Sequence, residues 1–383
     1  MTQDKQKDII VYIVTVVVSA LLIAVAWFTI AGGESVFKGT EESRTIRAEV
    51  LRVLDTETTC DETGAVTFEK IVFQARALET ELKDKTIDVF QDRDKTFAFC
   101  PEAVAVGDKI LVEEYTESNG VKSYYFGDFV RITPLVWLFV LFCALVLVFG
   151  KLKGLNTLIS LAFTCLSVFL VLIPAILNGR NIYLWSILVC VYITVMTLLI
   201  ISGASKKSLC ACVGCVGGVL ASGLIVVIMD KTLKMTGLLE DESVYLVNIY
   251  PDNPINLKAI IFAMIIVGAV GAVMDVAMSI SSSLAEIKAK SPDITPAELI
   301  RSGFTIGRDM LGTMANTLVL AYIGSSLTTV LLLVSYNSTL SQVINREIII
   351  ADILQALAGS TGILLALPLT SAVCAAVYNK AKE

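Results

Sequence analysis

The chain has 383 residues, 55% of them hydrophobic and 17% charged, with a mean hydropathy of +0.76 and a net charge of −6. That apolar share exceeds the ~45–50% of soluble domains and places the chain with polytopic membrane proteins. It has no histidine, which removes His-based metal sites and Ser/His or Cys/His catalysis, and no GxxxxGK[ST] string to cradle a phosphate.

Residues 9–31 (IIVYIVTVVVSALLIAVAWFTIA) are expected to form a first spanning helix behind the charged start MTQDKQKD. A cleaved signal peptide is the rival reading. The run is longer than the ~7–15-residue core of such peptides and ends in Trp27 and Phe28, which favours an uncleaved anchor over residues 1–33. A polar linker, Glu34–Ser43, follows.

Residues 34–133 carry 21 acids and 13 bases, whereas the remainder carries 15 and 17. An acidic module is thus joined to a slightly basic body, which excludes a basic nucleic-acid stripe. Within it TIRAEVLRVLD, VTFEKIVFQARAL, KTIDVFQ, DKILVEEYT and SYYFGDFVRI alternate and are separated by turn residues, so five strands of an OB-like barrel are expected. Val106-Gly107-Asp108 reads as a turn entering a barrel strand. Such a barrel either binds a small ligand or serves as an interaction or gating cap. Cys60 and Cys100 are the two of nine cysteines outside apolar segments, and would pair as a disulfide if the module faces an oxidising compartment.

Residues 134–383 are expected to hold seven further spans, at 134–150, 154–177, 182–202, 209–229, 258–283, 312–335 and 348–377. With the anchor this makes about eight. With the N-terminus inside, twelve Lys and Arg fall in inner flanks and five in outer ones, so both termini are expected in the cytoplasm and residues 34–133 outside it. Cys210, Cys212 and Cys215 lie among Gly and Ala and read as small buried hydrophobes rather than a thiolate metal site.

The span Ile260–Ser283 carries one carboxylate, Asp275. Gly268, Gly271, Ala272, Asp275, Ser279 and Ser282 fall on one helical face, where small residues admit a neighbouring helix. A charge there costs about 2.5–3.5 kcal/mol unless paired, hydrated or protonated, so Asp275 must face protein or water. A structural interhelical hydrogen bond is the plain alternative to a functional site.

Thr295-Pro296-Ala297-Glu298 reads as a capping box opening an amphipathic cytoplasmic helix over 295–309, either membrane-surface or simply connecting. The span behind it places Thr313, Asn316, Thr317 and Gly324 on one side, with Asn316 at the depth of Asp275 and Asp309 just below. In the last span Asp352, Gln355, Gly359 and Gly362 share a face. The run Ala358–Gly362 with Pro368 suggests a broken or kinked helix there, with close small-residue packing the equal alternative.

GAVGAVMDVAMSISSSL, GRDMLGTMANTLVLAYIGSSL and GSTGILLALP resemble segments of the bacterial YibE/F family. The order of anchor, barrel and short spans resembles that family too, over essentially the whole chain. The resemblance implies a multi-pass bacterial inner-membrane protein with an extracytoplasmic OB-like module. It supplies no activity, and the Cys210–Cys215 cluster departs from it.

The leading expectation is a gradient-driven transporter or permease using Asp275, Asn316, Asp309, Ser279, Thr313 and Thr317. Hard oxygen donors suit H+, Na+, Mg2+ or Mn2+. The alternative is a non-transporting scaffold of an envelope complex, acting on a protein partner or a second copy through the outer barrel. A catalytic constellation is not visible, and no organic cofactor is implied.

Overall fold

The computed structural model describes residues 3–32, 43–60, 66–79, 82–96, 100–116, 121–239, 241–249, 254–336 and 339–379. All but Ser43 of the expected linker lies outside these. The chain divides into two compact units, residues 37–145 and residues 1–36 with 146–383.

The first unit holds β1 (Ser43–Cys60), β2 (Val66–Ala77), β3 (Thr86–Asp94), β4 (Lys109–Thr116) and β5 (Lys122–Phe129). They close a barrel in the order β1-β2-β3-β5-β4, antiparallel except at β3–β5, which gives the expected OB-like architecture. Alternate residues turn inward and form its core: Val50, Ile71, Phe73, Val89, Ile110 and Val112. The long β1 pairs with both β4 and β2, and bulges at Val50/Arg52 and Val53/Asp55 bend it from one to the other.

The turn before β4 forms as read, with Gly107 at φ +93° and its N–H donating to the Val50 carbonyl at 2.9 Å. Inside the barrel sits one amide, Gln91, only 1% exposed. It donates to the Glu102 carbonyl at 2.9 Å and accepts from the Val104 N–H at 3.1 Å, which pins the segment before β4. Cys60 and Cys100 are both free thiols, so the expected bridge is not formed here.

The second unit is helical. Its elements are α1 (Gln3–Ala31), α2 (Ile132–Ser167, of which the part up to Leu145 falls in the first unit), a π-helical turn (Val168–Leu172), α3 (Ile173–Leu177), α4 (Ile182–Ser202), α5 (Lys206–Leu233) and α6 (Asp241–Ile249). These are followed by α7 (Leu257–Lys290), α8 (Pro296–Ser325), α9 (Leu327–Ser335), α10 (Leu340–Ile344) and α11 (Glu347–Asn379). Among the described residues six helices are long and apolar enough to cross a membrane, and α8 with α9, bent by 51°, makes a seventh if the pair is one span. The run 132–177 counts once among them but is broken at Lys151 (φ 49°, ψ −127°), between the two spans expected there. A side chain on Gly154 would stand 2.2 Å from the Val146 carbonyl oxygen, so only glycine lets the chain fold back at that point.

Two expectations are corrected. The 295–309 helix and the 312–335 span are not separate: α8 runs unbroken from Pro296 to Ser325, with its Thr295/Glu298 capping box in place, and the interruption falls at Ser326. The last span is not broken at 358–362, because α11 is continuous across Pro368. Its small residues are filled from outside. A β-carbon on Gly362 would lie 2.0 Å from Ser222 Oγ of α5, and one on Gly359 would lie 2.8 Å from Leu318 Cδ2 of α8. This is the close packing of helices that small residues permit.

Candidate functional site

The helix carrying Asp275 is fixed by its buried side. Asn256 caps its start, accepting from the Ala259 N–H at 3.2 Å. Ile265, Ile266, Ala269, Val273, Ala277 and Ile280 then bury one stripe against the bundle core. On the opposite side Met264, Gly268, Gly271 and Asp275 are exposed, with Ala272, Ser279 and Ser282 half-buried beside them. The expected face therefore exists, and from Gly271 to Asp275 it is open rather than packed. Nothing lies within 4 Å of where a Gly271 side chain would begin, and Asp275 has no hydrogen-bond or ion-pair partner among the described residues.

Among the described residues, none of the partners expected for Asp275 forms a hydrogen bond or ion pair with it. Asp309, Thr313, Asn316 and Thr317 form an exposed polar face on α8. Thr313 Oγ1 donates back to the Met310 carbonyl at 3.0 Å, and Thr317 Oγ1 to the Thr313 carbonyl at 2.8 Å. The buried side of α8 is instead Leu299, Gly303 and Gly307, the two glycines lying against Ser371 and Leu367 of α11. No group of three or more His, Cys, Asp or Glu side chains suited to a metal ion occurs among the described residues. The open faces of α7 and α8 are thus two polar surfaces, each carrying a carboxylate at exposed depth.

A second polar cluster stands at the α8–α9 break, and sequence reasoning gave it no role. Ser326 Oγ hydrogen-bonds Asp352 Oδ2 of α11 and lies 2.9 Å from the Tyr322 carbonyl oxygen. One turn along α11, the Gln355 amide lies 3.5 Å from the Met264 carbonyl oxygen of α7. The Tyr322 hydroxyl and the Gln355 amide both occupy the space beside Gly268, 3.0 and 3.1 Å from its missing β-carbon. Gly324, expected as a helix-packing or helix-breaking glycine, has nothing within 4 Å of where its side chain would begin and sits just before the break. The available signal was the shared face of Asp352 and Gln355, together with the Gly-Ser-Ser run at 324–326.

A family model described as YibE/F-like protein matches residues 138–380, most of the helical part; the barrel lies before the matched stretch. No curated protein and no solved structure matches the chain.

Proposed function

We propose that this chain, which belongs to the YibE/F-like protein family, is a gradient-driven membrane transporter or permease in which Asp275 binds a proton or a hard cation. One observation carries the reading: Asp275 is an unpartnered carboxylate on the open face of a helix long and apolar enough to span a bilayer. A carboxylate there is costly in hydrocarbon, which supports a face that meets water, the condition a transport site needs. The polar face of α8, with Asp309 and Asn316, supports an aqueous path through the same part of the protein. Asn316, Thr313, Thr317 and Ser279 supply oxygens to a bound ion once α7 and α8 approach. In this reading each limb of the bent pair belongs to one span, both termini are cytoplasmic, the barrel is extracytoplasmic and the membrane is the bacterial inner one.

Purified full-length protein in sealed vesicles tests it. An imposed pH gradient, and gradients of Na+, Mg2+ and Mn2+ in turn, are followed with trapped indicator dyes. Movement of at least one ion that Asp275→Asn abolishes is expected. Vesicles as tight as protein-free ones to all four would end the transport reading.

The scaffold reading is favoured by a different observation, a row of rings on the outer barrel wall. Phe90 and Tyr125 stand 5.9 Å apart and Tyr115 and Tyr125 5.8 Å, with both tyrosines exposed. Photo-crosslinking from position 125 in intact cells tests that surface, and the absence of any crosslinked protein would remove it.

A further inference from the structure

We propose that Asp352, with Ser326 and the Tyr322 carbonyl, is a second proton-binding site built into the α8–α9 break. The argument is an accounting of hydrogens. Ser326 has one hydroxyl hydrogen and two acceptor lone pairs. Its oxygen stands within hydrogen-bond reach of two acceptors at once, Asp352 Oδ2 and the Tyr322 carbonyl at 2.9 Å. One hydrogen cannot serve both.

With Asp352 ionised, Ser326 donates to the carboxylate. With Asp352 protonated, the carboxyl O–H donates to Ser326 Oγ, and Ser326 turns its own hydrogen to the Tyr322 carbonyl. That carbonyl also accepts from the Ser326 N–H at 3.0 Å and the Ser325 hydroxyl at 2.8 Å. Both protonation states are satisfied once the exposed Ser325 hydroxyl turns to water in the protonated one, which frees a lone pair of the Tyr322 carbonyl for Ser326. A proton from water enters or leaves with hydroxyl rotations alone, and the carboxyl O–H is the one covalent bond made or broken on the protein.

The surroundings fit such a group. Asp352 lies on the wall of a cleft of about 260 Å³ whose other walls include Val319, Ile323, Leu327, Val330 and Ile353. No cation pairs with it among the described residues, so neither state is locked. Tyr322 is the titratable group facing it from α8. Between Lys258 and Asp275, α7 has no titratable side chain, and Lys258 lies 3.6 Å from Asp230. Neither α9 nor α10 carries a charged residue. Arg346 precedes α11, and Glu347 in its first turn is engaged by the N–H groups of Thr236 and Gly237 at 2.6 and 2.5 Å.

The site also stands at one end of the open α7 face. Tyr322 and Gln355 reach that face at Gly268, and Asp275 follows seven residues on, about 10 Å along the helix. Exchange of protons between the two carboxylates through water on that face rests on the transport reading. The protonation of Asp352 does not.

Difference infrared spectroscopy on the full chain in lipid vesicles, between acid and alkaline pH, provides the test. A protonated-carboxyl C=O band present in wild type and Asp275→Asn, and missing in Asp352→Asn, is expected. In Ser326→Ala the band should move to higher frequency, because the carboxyl loses its acceptor. A wild-type spectrum whose carboxyl bands all survive in Asp352→Asn overturns the proposal. Should that variant fail to fold, an unshifted spectrum in Ser326→Ala overturns it equally. Loss of ion flux in neither aspartate variant, with the band behaving as expected, would refute transport and leave the site standing.

Discussion

Exchanging Asp275 for Asn removes a charge and keeps the shape, so its cost separates the two roles open to this residue. Among the described residues Asp275 bonds to no other side chain or carbonyl, so the exchange orphans no buried partner there. The ~0.6 kcal/mol typical of an interhelical hydrogen bond, with a ceiling near 1.7, is not at stake. What changes is the cost of holding a carboxylate at membrane depth, about 2.5–3.5 kcal/mol at a helix centre on insertion scales. Asn relieves part of that. Stability of Asp275→Asn is expected unchanged or raised by up to about 2 kcal/mol, while ion flux falls to that of empty vesicles. Asp275→Glu keeps the charge, and the open space at Gly271 one turn away leaves room for the longer side chain, so partial flux should remain. Denaturant unfolding in detergent and vesicle flux on the same preparations give both readouts. An Asn variant that loses more than about 1 kcal/mol yet transports like wild type would refute the reasoning, since that is the behaviour of a structural hydrogen bond.

A Gly362→Ala substitution places a methyl 2.0 Å from Ser222 Oγ and breaks the Ser222 hydrogen bond to the Ala358 carbonyl at 2.9 Å. It should cost about 1–3 kcal/mol in thermal unfolding, and an unchanged midpoint would mean that α5 and α11 do not cross there. Gln91→Leu leaves the Val104 N–H and Glu102 carbonyl without their partner, for about 1–3 kcal/mol, read as faster hydrogen exchange across β3. Hydrogen bonding from Lys95, with the charge of Arg93, holds the Glu69 carboxyl below the ordinary carboxylate range. That contribution to barrel stability is in place above the range and is lost as pH falls through the lowered value, so Glu69→Gln should flatten the acid side of the barrel's exchange-stability profile. The exposed Cys60 thiol should react with an impermeant maleimide added outside intact cells, and not in Cys60→Ser; labelling only after lysis would invert the topology.

The barrel and the capping box were legible because their signals are local. Alternation over a few residues fixes which side chains enter the barrel, and Thr295, Pro296 and Glu298 satisfy one another within a single turn. The open face of α7 was legible for the same reason, since Gly268, Gly271 and Asp275 share a side of any helix they form. The position of the helix break was not. Ala358–Gly362 looks like a helix breaker, yet its gaps are filled by Ser222 and Leu318, residues more than thirty positions away that no local pattern announces. The real break needs only one glycine and two serines. The Ser325 hydroxyl turns back to the Tyr322 carbonyl, with the Ser326 oxygen also within reach of it, and such groups compete with the helix's own bonds, which bends helices. No hydrogen bond joins Asn316 to Asp275 among the described residues, because equal depth on neighbouring helices does not set their rotation, and α8 buries Gly303 and Gly307 while Asn316 stays exposed.

Glycine therefore has two uses in this bundle, and its contacts distinguish them. At Gly218, Gly359 and Gly362 a neighbouring helix fills the space of the absent side chain, and the helices stay continuous. At Gly271, Gly312 and Gly324 nothing lies within 4 Å, and polar groups follow within a turn: Asp275 after Gly271, Thr313 and Asn316 after Gly312, Ser325 and Ser326 after Gly324. A bilayer cannot solvate such faces, so water or protein must. The two classes should then respond oppositely to a larger side chain. Filling a contacted glycine displaces a packed neighbour and lowers stability before anything else. A β-carbon at Gly271 meets no atom within 4 Å, so in Gly271→Leu the fold should hold while the space beside Asp275 narrows and flux falls. A Gly271→Leu protein that unfolds like Gly362→Ala, with its flux per folded molecule intact, would place Gly271 among the packing glycines and remove the open path.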